Sequence, residues 1–205
     1  MDYISKNTIK ESKCKQISTQ TFRKVQKEIK KEGLTFSFNL VGSAKRNMIV
    51  DKSKNPNILF DCDYQLFLQK NKKQLSAKQI KTKLISCFDK FFPDNFYYCQ
   101  DSTTAITTRC DAEIPFGYDI VIIDANQDIP QIIRRKNQNY TWNELPEEKN
   151  YPSNLAQIEG PEMWAELRER YLDKKGKQYH NKYPIDRKSF QILNEAINET
   201  IDCFE

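Results

Sequence analysis

The chain has 205 residues, of which 38% are hydrophobic and 30% charged, and 33 Lys and Arg against 28 Asp and Glu leave a net charge of +5. That length fits one domain, or one domain with a helical appendage, and 12 Phe with 10 Tyr supply a core that excludes disorder as a whole. The mild basicity agrees with a phosphate-bearing ligand, but a Lys-rich soluble surface explains it equally well, and it is too weak to establish nucleic-acid binding.

In chain order, Thr21 to Lys31 has helical spacing in Phe22, Val25 and Ile29 and ends at Gly33, a C-cap residue. Leu34 to Val41 alternates and is rich in Phe, which predicts a first strand. After Gly42-Ser43 a short helix or turn is expected to about Met48, and Lys52 to Asn57 is turn material before a second strand, Ile58 to Leu68. Ser76 and Gln79 form a capping box ahead of a helix with Ile80, Leu84, Ile85, Phe88 and Phe91 on one face, stopped before Pro93. Two short strands are expected at Asn95 to Cys99 and Ala105 to Cys110, and Phe116 to Asp124 is the most apolar strand of all. Gln131 to Leu145 is ambiguous and compatible with a hairpin. Gly160-Pro161 opens a helix through about Lys174, and Asp186 caps a last helix with Phe190, Leu193, Ile197 and Ile201 on its apolar face. The fold class is therefore α+β, a mixed sheet flanked by helices. Residues 1–33 form a helical segment packing on the core, 34–150 the core, and 151–205 a C-terminal helical part.

The six cysteines, at 14, 62, 87, 99, 110 and 203, include no Cys-x-x-Cys pair, which argues against a zinc knuckle and for reduced, buried thiols. The N-terminal stretch has no apolar signal-peptide region and no segment approaches 18 apolar residues. A cytoplasmic location without a membrane partner is expected.

The segment from Phe36 to Phe67 carries the chemistry. Eighteen residues past Ser43, the second strand bears Asp61 and Asp63 on one face, with Phe60, Cys62, Tyr64 and Leu66 on the other. Two carboxylates on one strand face repel each other, and a divalent cation is the natural way to offset that cost. Asp119 interrupts the apolar run from Phe116 to Ile123, where a charge is least expected. If the two strands are neighbours, Asp61, Asp63 and Asp119 can hold two metals that clamp the attacking and leaving oxygens of an in-line displacement. Asp63 would then bridge the metals, and Asp119 would assist deprotonation of the incoming hydroxyl. Asp111 and Asp124 compete for the third place, Asp124 ranking last because alternation puts it on the opposite face. Backbone N–H groups at Gly42-Ser43 can meet phosphate oxygens, and Lys45 and Arg46 can pair with a phosphate tail, although Gly-Ser ahead of a helix is more often a plain N-cap.

The order of apolar strand, Gly42-Ser43, Asp61-x-Asp63 and a later strand carrying Asp119 resembles the DNA polymerase β-type nucleotidyltransferase superfamily. Within it, the wide gap between Gly-Ser and Asp-x-Asp is most similar to the oligoadenylate synthetase and cyclic GMP-AMP synthase branch, whose bacterial relatives make cyclic oligonucleotides. The matched motifs lie within residues 34 to 123. The resemblance implies a nucleotidyltransferase-like fold in which Gly42 and Ser43 contact the triphosphate and Asp61, Asp63 and Asp119 bind two Mg²⁺ or Mn²⁺ ions. It implies transfer of a nucleoside monophosphate from a nucleoside triphosphate to an unknown hydroxyl acceptor, with release of pyrophosphate. The segment between the motifs is longer than in most relatives, and the C-terminal part is short. A minimal enzyme, one completed by a protein partner, and an inactive nucleotide- or partner-binding module of the same fold all fit the sequence. An RNA-binding role through Lys24, Lys27, Lys30 and Lys31 ranks lowest, because Glu28 and Glu32 interleave them. The lone histidine, His180, sits in a polar loop and speaks against a Ser-His-Asp or Cys-His hydrolase. Lys174, Lys175 and Lys177 are read as a solvated helix end rather than triphosphate ligands, and Tyr97, Tyr98, Tyr140 and Trp142 as packing residues rather than base-stacking ones.

Overall fold

The computed structural model describes residues 2–3, 9–46, 48–51, 60–111, 116–145, 151–179 and 189–205. They form two compact units, one spanning Ile4–Leu145 and the other Met1–Tyr3 with Pro146–Glu205.

Seven strands of the larger unit share one sheet: β1 (Leu34–Val41), β2 (Phe60–Asn71), β3 (Gln100–Asp101), β4 (Ala105–Cys110), β5 (Phe116–Asp124), β6 (Gln131–Lys136) and β7 (Asn139–Glu144). The order is β1-β2-β5-β4-β3, with β6 pairing the end of β5 and β7 pairing β6. Among the described residues of this sheet, β2 and β5 run parallel and the other pairs antiparallel. Two-residue strands at Asp2–Tyr3 and Val50–Asp51 lie outside this sheet. The helices of the unit are α1 (Ile9–Lys31), α2 (Gly42–Arg46) and α3 (Ala77–Phe91).

Alternation along β2 and β5 sends Cys62, Tyr64, Leu66, Tyr118, Ile120 and Ile122 to one face, where all are buried. α1 and α3 close that face. Phe22 of α1 meets Phe38, Tyr64 and Phe88 edge-on at 4.9, 4.8 and 5.0 Å between centroids. Such aromatic pairs add about 0.5–1.5 kcal/mol each beyond the area they bury. Polar groups in the seam are matched: Tyr118 Oη donates to the Cys14 carbonyl at 2.6 Å, and the Ser18 and Tyr64 hydroxyls lie 2.6 Å apart. The thiols of Cys14 and Cys62 face each other at 2.8 Å between sulfurs. Cys14, Cys62 and Cys110 are buried, Cys87 and Cys99 half-buried and Cys203 exposed, and all six are free thiols.

Several elements depart from expectation. α1 begins at Ile9, a dozen residues earlier than the periodicity of Phe22, Val25 and Ile29 predicts. Its first turns bury Cys14, Ser18 and Thr21, small or polar residues that leave no hydrophobic stripe to read. Asn95 to Cys99 is not a strand; it holds a single bridge, Phe96 to Cys110, and the strand is the two residues of β3. The ambiguous 131–145 stretch is the β6–β7 hairpin. α3 has the expected capping box, Ser76 N donating to Gln79 Oε1 at 2.9 Å and Gln79 N to Ser76 Oγ at 3.3 Å. The 52–57 turn, the first two residues of the expected second strand, His180 and Asp186 lie outside the described residues.

The smaller unit contains α4 (Tyr151–Ala156), α5 (Gly160–Tyr179) and α6 (Ser189–Phe204). α5 packs on α6, and Leu167, Tyr171, Leu193, Ala196 and Ile197 are buried. α5 continues past the expected end near Lys174, and α4 is an unexpected element. Among the described residues no helix is long and apolar enough to cross a membrane.

Candidate active site

The face of the sheet opposite α1 and α3 is organised in two rungs. Pairing registers Val41 with Asp63, Asp63 with Asp119, Asp119 with Thr107 and Thr107 with Gln100, so these five residues cross β1, β2, β5, β4 and β3 on one face. The next rung holds Asp61, Gly117 and Arg109. Adjacent strands are about 4.8 Å apart, so Asp61, Asp63 and Asp119 occupy neighbouring positions on one face. Asp61 is exposed; Asp63 and Asp119 are half-buried.

Two glycines leave room for the carboxylates. A Cβ on Gly42 would stand 2.3 Å from Asp63 Oδ2, and one on Gly117 would stand 2.7 Å from Asp61 Oδ1. Gly42 also has a φ of +65°, a conformation that L side chains rarely adopt, as β1 turns into α2. Gly42 is expected from its place ahead of Ser43 to contact phosphate, whereas Gly117 carries only the general signal of a glycine inside an apolar strand, a sign of close approach.

Asp63 carries the electrostatic tension. Burial, then the charges of Asp119 and Asp61, push its carboxyl from 3.8 up to about 6. Thr107 Oγ1 donates to Asp119 Oδ1 at 2.6 Å and so fixes one of its oxygens. Carboxylate oxygens are the donor type a hard divalent cation prefers. No three His, Cys, Asp or Glu side chains among the described residues stand as a ready-made metal cage. A site of this kind takes its remaining ligands from phosphate and water.

The other anticipated residues divide. Gly42 and Ser43 stand at the end of β1 beside Asp63, and Ala44 anchors α2 in the core. Lys45 is exposed, while Arg46 folds back to donate from Nη1 to the Gly42 carbonyl at 3.1 Å. Asp111 lies just beyond β4 and accepts from Tyr97 Oη at 3.2 Å. Asp124 pairs in register with Leu68 on the helix-covered face and accepts from Asn126 N at 3.0 Å, so neither replaces Asp119. Tyr97 and Tyr98 are 60% and 84% exposed rather than packed. Tyr140 donates to Asp101, and Trp142 packs against the core. Lys174 pairs with Glu199 at 2.7 Å, Lys177 with Asp173 at 2.5 Å, and the buried Lys175 donates to Ser189 Oγ at 2.7 Å. Glu28 of α1 pairs with Lys31 and with Lys90 of α3, and Glu32, just past α1, pairs with Lys73 and Lys83.

Neither a protein-family model nor a curated protein sequence matches the chain. Solved structures do. The cyclic AMP-GMP synthase DncV of Vibrio cholerae, in complex with nonhydrolyzable GTP, superposes with a TM-score of 0.61 at 13% identity over 82% of this chain and 46% of that one. The GTP-bound form of the same protein gives 0.59 at 13% identity over 82% and 45%. DncV of Escherichia coli, bound to 3'-deoxy GTP, gives 0.59 at 11% identity over 80% and 46%. The fold is therefore nucleotidyltransferase-like, and the chain spans a little under half the length of the structures it matches.

Proposed function

We propose that this chain is a divalent-metal-dependent, template-independent nucleotidyltransferase, transferring a nucleoside monophosphate from a triphosphate to a hydroxyl acceptor. The observation that carries the reading is the registered pair Asp63–Asp119 with Asp61 on the adjoining rung, each β2 carboxylate facing a glycine. The fold adds support, since structures that share it hold GTP and, in one complex of Vibrio cholerae DncV, the linear intermediate 5' pppA(3',5')pG. Synthesis of a nucleotide second messenger is the favoured form of the reaction.

Asp61, Asp63 and Asp119 would hold Mg²⁺ or Mn²⁺. When bound, such ions neutralise the triphosphate and acidify the attacking hydroxyl. The hydroxyl oxygen attacks the α-phosphorus, the bond to pyrophosphate breaks, and Asp119 Oδ2, the oxygen that Thr107 leaves open, takes the proton. Gly42 and Ser43 present backbone N–H groups to the triphosphate tail.

Calorimetric titration of ATP, GTP, CTP and UTP with Mg²⁺ tests the reading, comparing the wild type with the Asp61→Asn/Asp63→Asn double variant. The expected result is metal-dependent binding of at least one triphosphate, lost in the variant. Binding that survives in the variant would reassign the chain to a non-catalytic module.

A further inference from the structure

Behind Asp119 stands a row of side chains that the three-carboxylate reading does not use. Thr107 Oγ1 lies 2.6 Å from Asp119 Oδ1 and 3.0 Å from Ser102 Oγ. A threonine hydroxyl has one proton. That proton goes to the Asp119 oxygen, so in the remaining contact Ser102 donates to Thr107. Ser102 is itself held. Its carbonyl accepts from Lys81 Nζ at 2.6 Å, and its N–H donates to the Ala105 carbonyl at 3.1 Å. Lys81 is wholly buried on α3 and pairs with Asp101 at 2.7 Å, and Asp101 also accepts from Tyr140 Oη.

The arrangement has a direction. A buried ammonium is costly unless paired and hydrogen-bonded, and Lys81 uses its donors on one turn, Asp101-Ser102, at the start of the β3–β4 connection. That turn orients one hydroxyl, which orients a second, which fixes one oxygen of the third carboxylate.

We infer that Thr107 is a positioning residue for Asp119, oriented by Ser102 and the buried Lys81–Asp101 pair. The inference rests on the proposed metal site. Thr107 holds Oδ1 against β4, so that Oδ2 is the oxygen presented beside Asp63. Partners of this kind, one shell out from a metal, typically change affinity by about 10–100-fold when removed.

The test is Mn²⁺ binding followed by electron paramagnetic resonance, with thermal melting as the control for folding. Wild type, Thr107→Val, Thr107→Ser, Ser102→Ala and Asp119→Asn are compared. Thr107→Val is expected to weaken Mn²⁺ binding by about 10-fold, Thr107→Ser to restore it to within about 3-fold of wild type, and Ser102→Ala to fall between. Thr107→Val and Thr107→Ser should melt alike if both fold, and the serine rescue separates positioning from packing. Loss of affinity in Asp119→Asn with none in Thr107→Val would overturn the positioning role and leave the metal site standing. Absence of Mn²⁺ binding by the wild type would overturn both, and is read separately because it appears before any variant is made.

Discussion

The two faces of the β2–β5 pair are made by alternate residues of the same strands and follow opposite physical rules. Toward α1 and α3, Cys62, Tyr64, Leu66, Tyr118 and Ile120 are buried among rings, and their polar atoms are matched. On the face opposite α1 and α3, Asp119 and Asp61 repel the Asp63 carboxylate, and Gly42 and Gly117 leave room for the Asp63 and Asp61 carboxylates. One face supplies the stability that lets the other hold groups at odds with folding. Natural sites commonly carry such a cost.

The largest test of this contrast removes the closed face. Phe22→Ala deletes a buried ring that touches Phe38, Tyr64 and Phe88, and urea unfolding should show a loss of about 3–5 kcal/mol. Changing the open face should do the reverse. The Asp63 carboxyl sits at about 6 in the folded chain against an ordinary 3.8. The folded state therefore binds that proton more tightly than the unfolded one, and ionisation removes stability as pH rises through the window from about 4 to about 6. Discounted for partial exposure, Asp63→Asn should stabilise the metal-free protein by about 1–2 kcal/mol at pH 7.5. The same comparison at pH 3.5 should show no gain.

Gly117→Ala sets a methyl 2.7 Å from Asp61 Oδ1 and 3.1 Å from the Thr108 carbonyl. Unfolding should register a cost of about 1 kcal/mol, and Mn²⁺ titration should show weakened binding as Asp61 is displaced. The smallest effect belongs to the outer side of α1. Lys24 and Lys27 are exposed there, and Lys24→Gln/Lys27→Gln should change stability by less than about 0.5 kcal/mol. A steep salt-dependent RNA affinity lost in that variant would revive the basic-helix reading.

What the sequence discloses follows from how strongly each residue's role restricts its type. β1 and β5 are legible end to end because their Phe, Val and Ile alternate or run unbroken, and the carboxylates stand out against that background. The first half of α1 is not, because Cys14, Ser18 and Thr21 are among its buried positions. Cys14 and Ser18 meet the Cys62 thiol and the Tyr118 and Tyr64 hydroxyls, and Thr21 donates to the Phe91 carbonyl, so their periodicity is written in polar letters. The false strand at Asn95 to Cys99 has β-type composition with almost no ladder to join. Thr107 is invisible for a different reason: a threonine in a strand is ordinary, and only its register opposite Asp119 gives it a role.

The parallel pairing of β2 with β5 also has a consequence for synthesis. β1 and β2 can pair as soon as both have emerged, but the partner for the other edge of β2 arrives only after α3, β3 and β4 have been made. Parallel neighbours always need such a crossover, and the long loop it closes forms late. Until then β2 presents an apolar strand with an open edge, the usual template for pairing with another chain. Asp61 and Asp63 stand on that strand as charges pointing away from the core, and charges so placed act as gatekeepers against edge-to-edge association. The pair thus guards the nascent chain before it has any ligand to bind. A fragment ending before residue 116 should aggregate faster, by light scattering, once both aspartates are changed to asparagine.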